Sequence, residues 1–204
     1  MMSRKRWTLS AASILSAAMI TGIAPAQTQS QAPVADVGVT YDALHANSIT
    51  AQNFWMQGGA VEMGVRLHGG LGAAARLEGL HAGAGTAQGA PLSLITTVFG
   101  PRYTWTANGG RIAIFGEGLA GAAYGFDGLF SVGSGPLGSV NVGTRSSAQS
   151  LAAEVGGGLD VGLTSRLAIR AIRVGYLRTN LPNSTTNAQN NLSIGAGIVL
   201  RFGF

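Results

Sequence analysis

Residues 190–204 alternate between apolar and small or polar side chains with scarcely a break. Leu192, Ile194, Ala196, Ile198, Leu200, Phe202 and Phe204 fall on one face, and Ser193, Gly195, Gly197, Val199, Arg201 and Gly203 on the other. A period of two belongs to a strand; a helix repeats near 3.6. Residues 149–163 repeat the pattern, with Leu151, Ala153, Val155, Gly157, Leu159, Val161 and Leu163 opposing Ala152, Glu154, Gly156, Gly158, Asp160 and Gly162. In 57–68, Val61, Met63, Val65 and Leu67 oppose Glu62, Gly64, Arg66 and His68. Eight strand-like segments follow in this way: 35–46, 57–68, 71–81, 91–105, 111–124, 149–163, 166–179 and 190–204.

The links between them alternate in length. Gly69-Gly70, Ala107 to Gly110 and Thr164-Ser165 are short and turn-like, whereas 47–56, 82–90, 125–148 and 180–189 are long. Short turns at one end and long loops at the other mark an up-and-down transmembrane barrel. An even strand count places both ends of the barrel segment on the short-turn, periplasmic side. The longest link, 125–148, is rich in Gly and Ser and reads as a surface loop.

Charge decides what such strands face. Met1 to Leu9 carry Arg4, Lys5 and Arg6, Ala11 to Ile23 are apolar, and Ala24-Pro25-Ala26 is a small-residue cleavage pattern. Residues 1–26 therefore read as a signal peptide; the run is too short, and too diluted by Ser13, Ser16, Thr21 and Gly22, for a spanning helix. Residues 27–33 are a short polar leader. Of the remaining 178 residues only 18 are charged, with ten Arg, eight acids and no Lys. A soluble domain carries about a quarter of its residues charged. No stretch in that part of the chain is a run of about 18 or more apolar residues, so no helix spans a bilayer. A lipid-facing chain without such helices must close on itself, because open sheet edges leave backbone groups unsatisfied in hydrocarbon. The expected fold is all-β: an eight-stranded antiparallel up-and-down transmembrane β-barrel over residues 34–204, in a bacterial outer membrane.

A soluble barrel alternates too, with its apolar face inward. Three features favour the reverse. The charged faces are filled with Gly and Ala, as the cramped interior of eight strands requires. They carry both signs together, and buried ions must be paired. The inward acids are Glu62, Glu78, Glu117, Glu154 and Asp160, with Asp36 and Asp42 in the first segment; the inward bases are Arg66, Arg76, Arg102, Arg170 and Arg201. Aromatic residues gather near segment ends, Tyr103 with Trp105, Phe202 with Phe204, and Trp55 and Tyr41, as membrane-interface girdles do. One blemish stands: Arg170 and Arg173 lie on opposite faces of a regular strand. Either one sits near a rim, or it snorkels, or the strand bulges.

Chemistry is sparse. There is no Cys, which excludes disulfides and thiolate metal sites. The net charge after residue 26 is only +2, and no basic stripe with interleaved aromatics points to nucleic acid. His45, His68 and His81 have no zinc-like spacing. His81 and Glu78 are close in sequence, yet no nucleophile context accompanies them. Gly156-Gly157-Gly158 and Gly116-Glu117-Gly118 lack the Lys-Ser/Thr ending of a phosphate loop and read as close backbone approach within strands. No catalytic residue, metal or cofactor is expected.

The ending Leu200-Arg201-Phe202-Gly203-Phe204 resembles the C-terminal strand signal that the barrel-assembly machinery recognises in bacterial outer-membrane proteins. With it, the chain resembles the small outer-membrane β-barrels of the OmpA-like transmembrane domain and OmpX-like superfamily. Val98 to Tyr103, Gly156 to Val161, and Ala168 through Leu177 resemble a group of single-barrel proteins of acidobacteria. The resemblance covers about residues 34–204 and implies architecture and outer-membrane lipid as surroundings, without a reaction or substrate. Cell-wall anchoring by a further domain, found in larger OmpA-type proteins, is not expected. The leading expectation is a non-enzymatic barrel with a structural or surface-interaction role. The alternatives are a narrow pore for water or small ions, an adhesin-like module acting through 125–148, and a lipid hydrolase using His81.

Overall fold

A computed structural model describes residues 34–46, 54–83, 91–128, 146–182 and 188–203. The expected signal peptide, the leader and Phe204 lie outside the described residues. The elements are β1 (Val34–Ala46), β2 (Phe54–His68), β3 (Leu71–Ala82), β4 (Leu92–Ala107), β5 (Ile112–Gly128), β6 (Ser146–Gly162), β7 (Leu167–Thr179) and β8 (Gln189–Gly203).

Each strand pairs antiparallel with the next, and β1 closes the wall on β8. Val34 opposes Arg66 on β2 and Gly203 on β8, so both first and last strands lose their free edges. Closure matters because the two-residue alternation leaves one full face of every strand apolar, and only a sheet without edges satisfies its backbone beside that face.

Three short turns sit at one end of the barrel. Gly69 and Gly70 have φ of 58° and 90°, a conformation that side chains disfavour. A 3-10 turn follows β4, with Asn108, Gly109 and Gly110 at φ 50°, 65° and 87°. In the third, the Thr164 hydroxyl accepts the Leu167 N–H at 3.0 Å and the Arg166 N–H at 3.2 Å. This is the turn end; the opposite, loop end carries the long links.

The wall is apolar outside, and its ionic side chains point inside. Phe99, Leu151 and Val155 are 71%, 75% and 67% exposed on the outer face, while Arg76, Arg170 and Arg173 are among the largest fully buried side chains. Exposed aromatics mark both margins: Tyr103, Trp105 and Phe202 toward the turn end, and Trp55, Tyr124 and Tyr176 toward the loop end.

Two expectations change. The link expected at 125–148 is shorter, because β5 runs to Gly128 across a bulge between Gly125 and Gly128 and β6 begins at Ser146. The Arg170/Arg173 conflict resolves as a bulge. Asp160 opposes Arg170 while the next residue back, Leu159, opposes Ile172, and on β8 Gly197 and Gly195 oppose Arg170 and Arg173. The extra residue shifts the phase of β7, so both guanidinium groups enter the lumen.

Candidate functional site

The lumen is filled in layers. At the loop end, inward side chains from most strands meet in an apolar plug: Leu44 of β1, Met56 of β2, Leu80 of β3, Leu94 of β4, Leu119 of β5 and Leu177 of β7. These residues are 0% to 4% exposed. In the middle lies an ionic layer. Toward the turn end the lumen widens into a polar basin of about 580 Å³, lined by Asp36, Arg66, Arg111, Asp160, Arg201 and neighbouring Thr and Gly residues.

Glu62 is the hub of the middle layer. Its carboxylate meets Arg102 at 2.5 Å, Arg76 and Arg173 each at 3.4 Å, and Arg170 in a short contact. Arg102 also binds Glu117 at 2.5 Å and Asp36 at 3.4 Å. Arg173 bridges Glu117 and Glu154, each at 2.7 Å. Arg170 holds Asp160 at 2.8 Å, and Arg76 holds Asp42 at 3.0 Å and Glu78 at 3.1 Å. Thr40 and Thr96 donate hydroxyls to Asp42 at 2.6 Å and to Glu78 at 3.4 Å. Phe115 lies between two guanidinium groups, with Arg102 4.5 Å and Arg170 4.4 Å from its ring centre, so its π faces attract both cations.

Inward glycines make the space. A Cβ at Gly195 would stand 2.0 Å from the Asp42 carboxylate, and one at Gly64 would stand 2.7 Å from both Arg102 and Asp36. Gly175 is tied down likewise, its Cβ position lying 2.6 Å from Ser193 and 2.7 Å from Glu154. At these three positions glycine follows from the bulk of the polar side chains opposite, whereas at Gly72, Gly121 and Gly197 it follows from close approach of the neighbouring backbone.

Eight of the ten candidate residues lie in this layer: Glu62, Arg76, Glu78, Arg102, Glu117, Glu154, Asp160 and Arg170 are each 6% exposed or less. Asp36 and Asp42 join them. The other two stand apart. Arg201 lines the basin, donates to the Gly110 carbonyl at 2.9 Å and reaches Asp160 only at 4.0 Å. Arg66 lines the basin too, and among the described residues it meets no carboxylate; its Nε is buried without a partner. Both sit at the turn end of their strands, where Asp36 lies opposite Arg201 in register. The network also contains Arg173, which strict alternation had left unplaced; an Arg three residues after another inward Arg is the signal for it.

The charges divide by layer. Seven inward carboxylates surround Arg76, Arg102, Arg170 and Arg173, a formal excess of three negative charges, and the adjacent basin carries Arg66, Arg111 and Arg201. The basin arginines therefore complement the middle layer.

Glu78 and His81 do not meet: Glu78 points inward and is buried, and His81, three residues on, faces out. His81 instead has Nδ1 2.9 Å from the Ser93 hydroxyl, and Ser93 lies 3.5 Å from Asp127. In a hydrolytic triad the acid orients the imidazole. Here the acid approaches the serine, and among the described residues no carboxylate meets the other ring nitrogen of His81. His45 lies against Trp55, ring centres 5.0 Å apart, and His68 is exposed at the turn end of β2. Among the described residues no three His, Asp or Glu are grouped to hold a metal.

No protein-family model matches the chain, and no curated protein matches it in sequence. Solved structures do. Ail, the attachment invasion locus protein of Yersinia pestis, shares 13% identity over 84% of this chain and 99% of its own, with a TM-score of 0.55. Ail in complex with the heparin analogue sucrose octasulfate aligns at 14% identity over 84% of this chain and 100% of its own, with the same TM-score. Neisserial surface protein A shares 13% identity over 82% of this chain and 97% of its own, with a TM-score of 0.59. At these identities the likeness concerns fold: the chain has the closed eight-stranded architecture of the small outer-membrane barrels.

Proposed function

We propose that the chain is a non-enzymatic, non-conducting barrel of a bacterial outer membrane that contributes to envelope structure and to surface contacts. The observation that carries this is the filling of the lumen. Leu44, Met56, Leu80, Leu94, Leu119 and Leu177 pack together across its loop end, and an apolar septum offers an ion nothing to replace its hydration. Below it the guanidinium groups and carboxylates are locked on one another rather than lining an open path. The apolar outer belt with aromatic margins supports the membrane location, since a soluble protein exposes no continuous apolar surface of this extent.

Two measurements test this. The protein is expected to fractionate with detergent-extracted membranes and to shift its gel mobility on heating; release into the soluble fraction without detergent removes the membrane reading. In planar bilayers the purified barrel is expected to show no unitary conductance, and reproducible channel steps favour the narrow-pore reading instead.

One observation favours the surface-contact role over a purely structural one. β5 and β6 are 17 residues each, but β7 has only 13, and the pairing of β6 with β7 stops at Ala152–Thr179. Residues 146–151 of β6 extend past it by about 20 Å at 3.3 Å per residue. Among the described residues only the Asn180 N–H, donating to the Leu151 carbonyl at 3.3 Å, reaches that edge by backbone pairing. β5 stays paired with β4 as far as Phe126, so it is the β6 edge over 146–151, beside β7, whose backbone groups stand open to a partner. Residues 129–145 lie outside the described residues. Deleting 129–145 is expected to abolish any surface binding and leave heat-modifiability intact; undiminished binding rejects the role.

A further inference from the structure

The outer wall, like the lumen, has an exception to its pattern. Among the described strand residues, the outward side chains are uncharged apart from Arg178 near the end of β7 and Asp127 in the bulge at the end of β5. Arg178 is exposed, and among the described residues it forms no ion pair and donates no hydrogen bond. Its surroundings are specific. A single transverse row across the sheet places Phe99 opposite Ala120, Ala120 opposite Ala153, Ala153 opposite Arg178, and Arg178 opposite Asn190. A large ring, two methyl groups and a cation therefore stand side by side on the outside of β4 to β7.

The small members of that row form a groove. Phe99 and Leu151, the two large apolar side chains exposed by 71% and 75%, rise on its flanks, and Ala120, Gly121 and Ala153 form its floor. Its volume is about 560 Å³, and Arg178 and Asn180 stand on its rim. Neither half explains the other by packing alone. Arg178 stands two residues past Tyr176 toward the loop end, at the level of the membrane interface, where an anionic headgroup is the partner within reach of a guanidinium. An apolar groove is filled by whatever apolar chain lies along the belt.

We infer that this face holds one phosphorylated membrane lipid of the loop-end leaflet, with its headgroup phosphate on the Arg178 guanidinium and an acyl chain in the groove between Phe99 and Leu151. The inference rests on the membrane reading above. Charge complementarity selects the occupant: an apolar helix or a second barrel would fill the groove and leave Arg178 unmatched, whereas a phospholipid carries the anion and the chain in one molecule. Guanidinium binds phosphate oxygens in a fork, which a more mobile ammonium does not.

The test uses the whole barrel refolded in detergent and exposed to an equimolar mixture of phosphatidylglycerol and an uncharged diacylglycerol, with the retained lipid counted by native mass spectrometry. The parent is expected to retain one phosphatidylglycerol in preference to the diacylglycerol. Arg178→Gln is expected to lower that preference at least fivefold. Ala153→Leu, and independently Ala120→Leu, place bulk on the groove floor at lipid-facing positions and are expected to lower retention of both lipids at least threefold. Arg166→Gln, in the turn at the far end, is expected to leave both unchanged. Heat-modifiability confirms folding of each variant. Equal preference in the parent and Arg178→Gln overturns the inference, as does undiminished retention in both groove variants. A parent that inserts into bilayers but retains no lipid removes this inference alone; one that never inserts removes the membrane reading as well.

Discussion

The two halves of the lumen are filled by opposite means within one wall. At the loop end the inward positions are Leu44, Met56, Leu80, Leu94 and Leu177, which need only shape. A few residues farther along the same strands the inward positions are Asp42, Glu62, Arg76 and Arg173, which need partners for every charge. Apolar packing is locally tolerant, because a lost methylene costs contact area and leaves a cavity. Ionic packing is globally conditional: Glu62 touches four arginines from three strands, so its removal strands charges on β3, β4 and β7 at once. The apolar plug bounds the ionic layer on one side, and burial among packed side chains makes those ion pairs both stronger and less forgiving.

The sharpest test of this contrast is Glu62→Gln. It leaves Arg76, Arg102, Arg170 and Arg173 around a neutral amide, and is expected to cost about 3–5 kcal/mol in urea unfolding of the micelle-folded protein. A cost near that of an ordinary surface substitution would break the distinction between the halves. Next is Leu177→Ala in the plug, with an expected cost of about 2–4 kcal/mol through lost contact and residual cavity. Because no charge is involved, that cost should be the same at low and high salt; strong salt dependence would show that the plug is wet.

Gly195→Ala probes the fit of backbone to ions. The added methyl would stand 2.0 Å from the Asp42 carboxylate, so about 1–3 kcal/mol is expected from overpacking. An unchanged midpoint would mean that the Asp42–Arg76 pair shifts freely. The smallest effect belongs to the basin. A double-mutant cycle on Arg201 and Asp160, 4.0 Å apart with Arg201 partly exposed, should give a coupling below about 1 kcal/mol that fades with salt. The same cycle on Arg173 and Glu154, in contact at 2.7 Å and buried, should give a clearly larger and salt-insensitive value. Equal couplings would erase the boundary between middle layer and basin.

Much of this was legible in residues alone, because alternation is a local property. A side chain at an even offset from Leu192 or Leu151 faces outward whatever the rest of the chain does, so the eight strands, the short turns and the apolar exterior could be read position by position. Glu62, Glu117 and Arg170 could be named as inward for the same reason. Arg173 could not, since one extra residue at the bulge inverts the face of everything after it. That shift also turned Leu177 inward to complete the plug.

What the sequence determined by itself, then, is which face each regular strand shows and the closed wall that follows, because the pleat and the charge deficit fix those without reference to distant residues. Only the tertiary structure decided which ion meets which. Glu62 and Arg170 are 108 positions apart, and their contact depends on barrel closure, on stagger between strands and on the phase of a single bulge. The same holds for the division of the lumen into plug, ionic layer and basin, and for the row that sets Phe99 beside Arg178. These are properties of register around a ring, and register is set by all eight strands together.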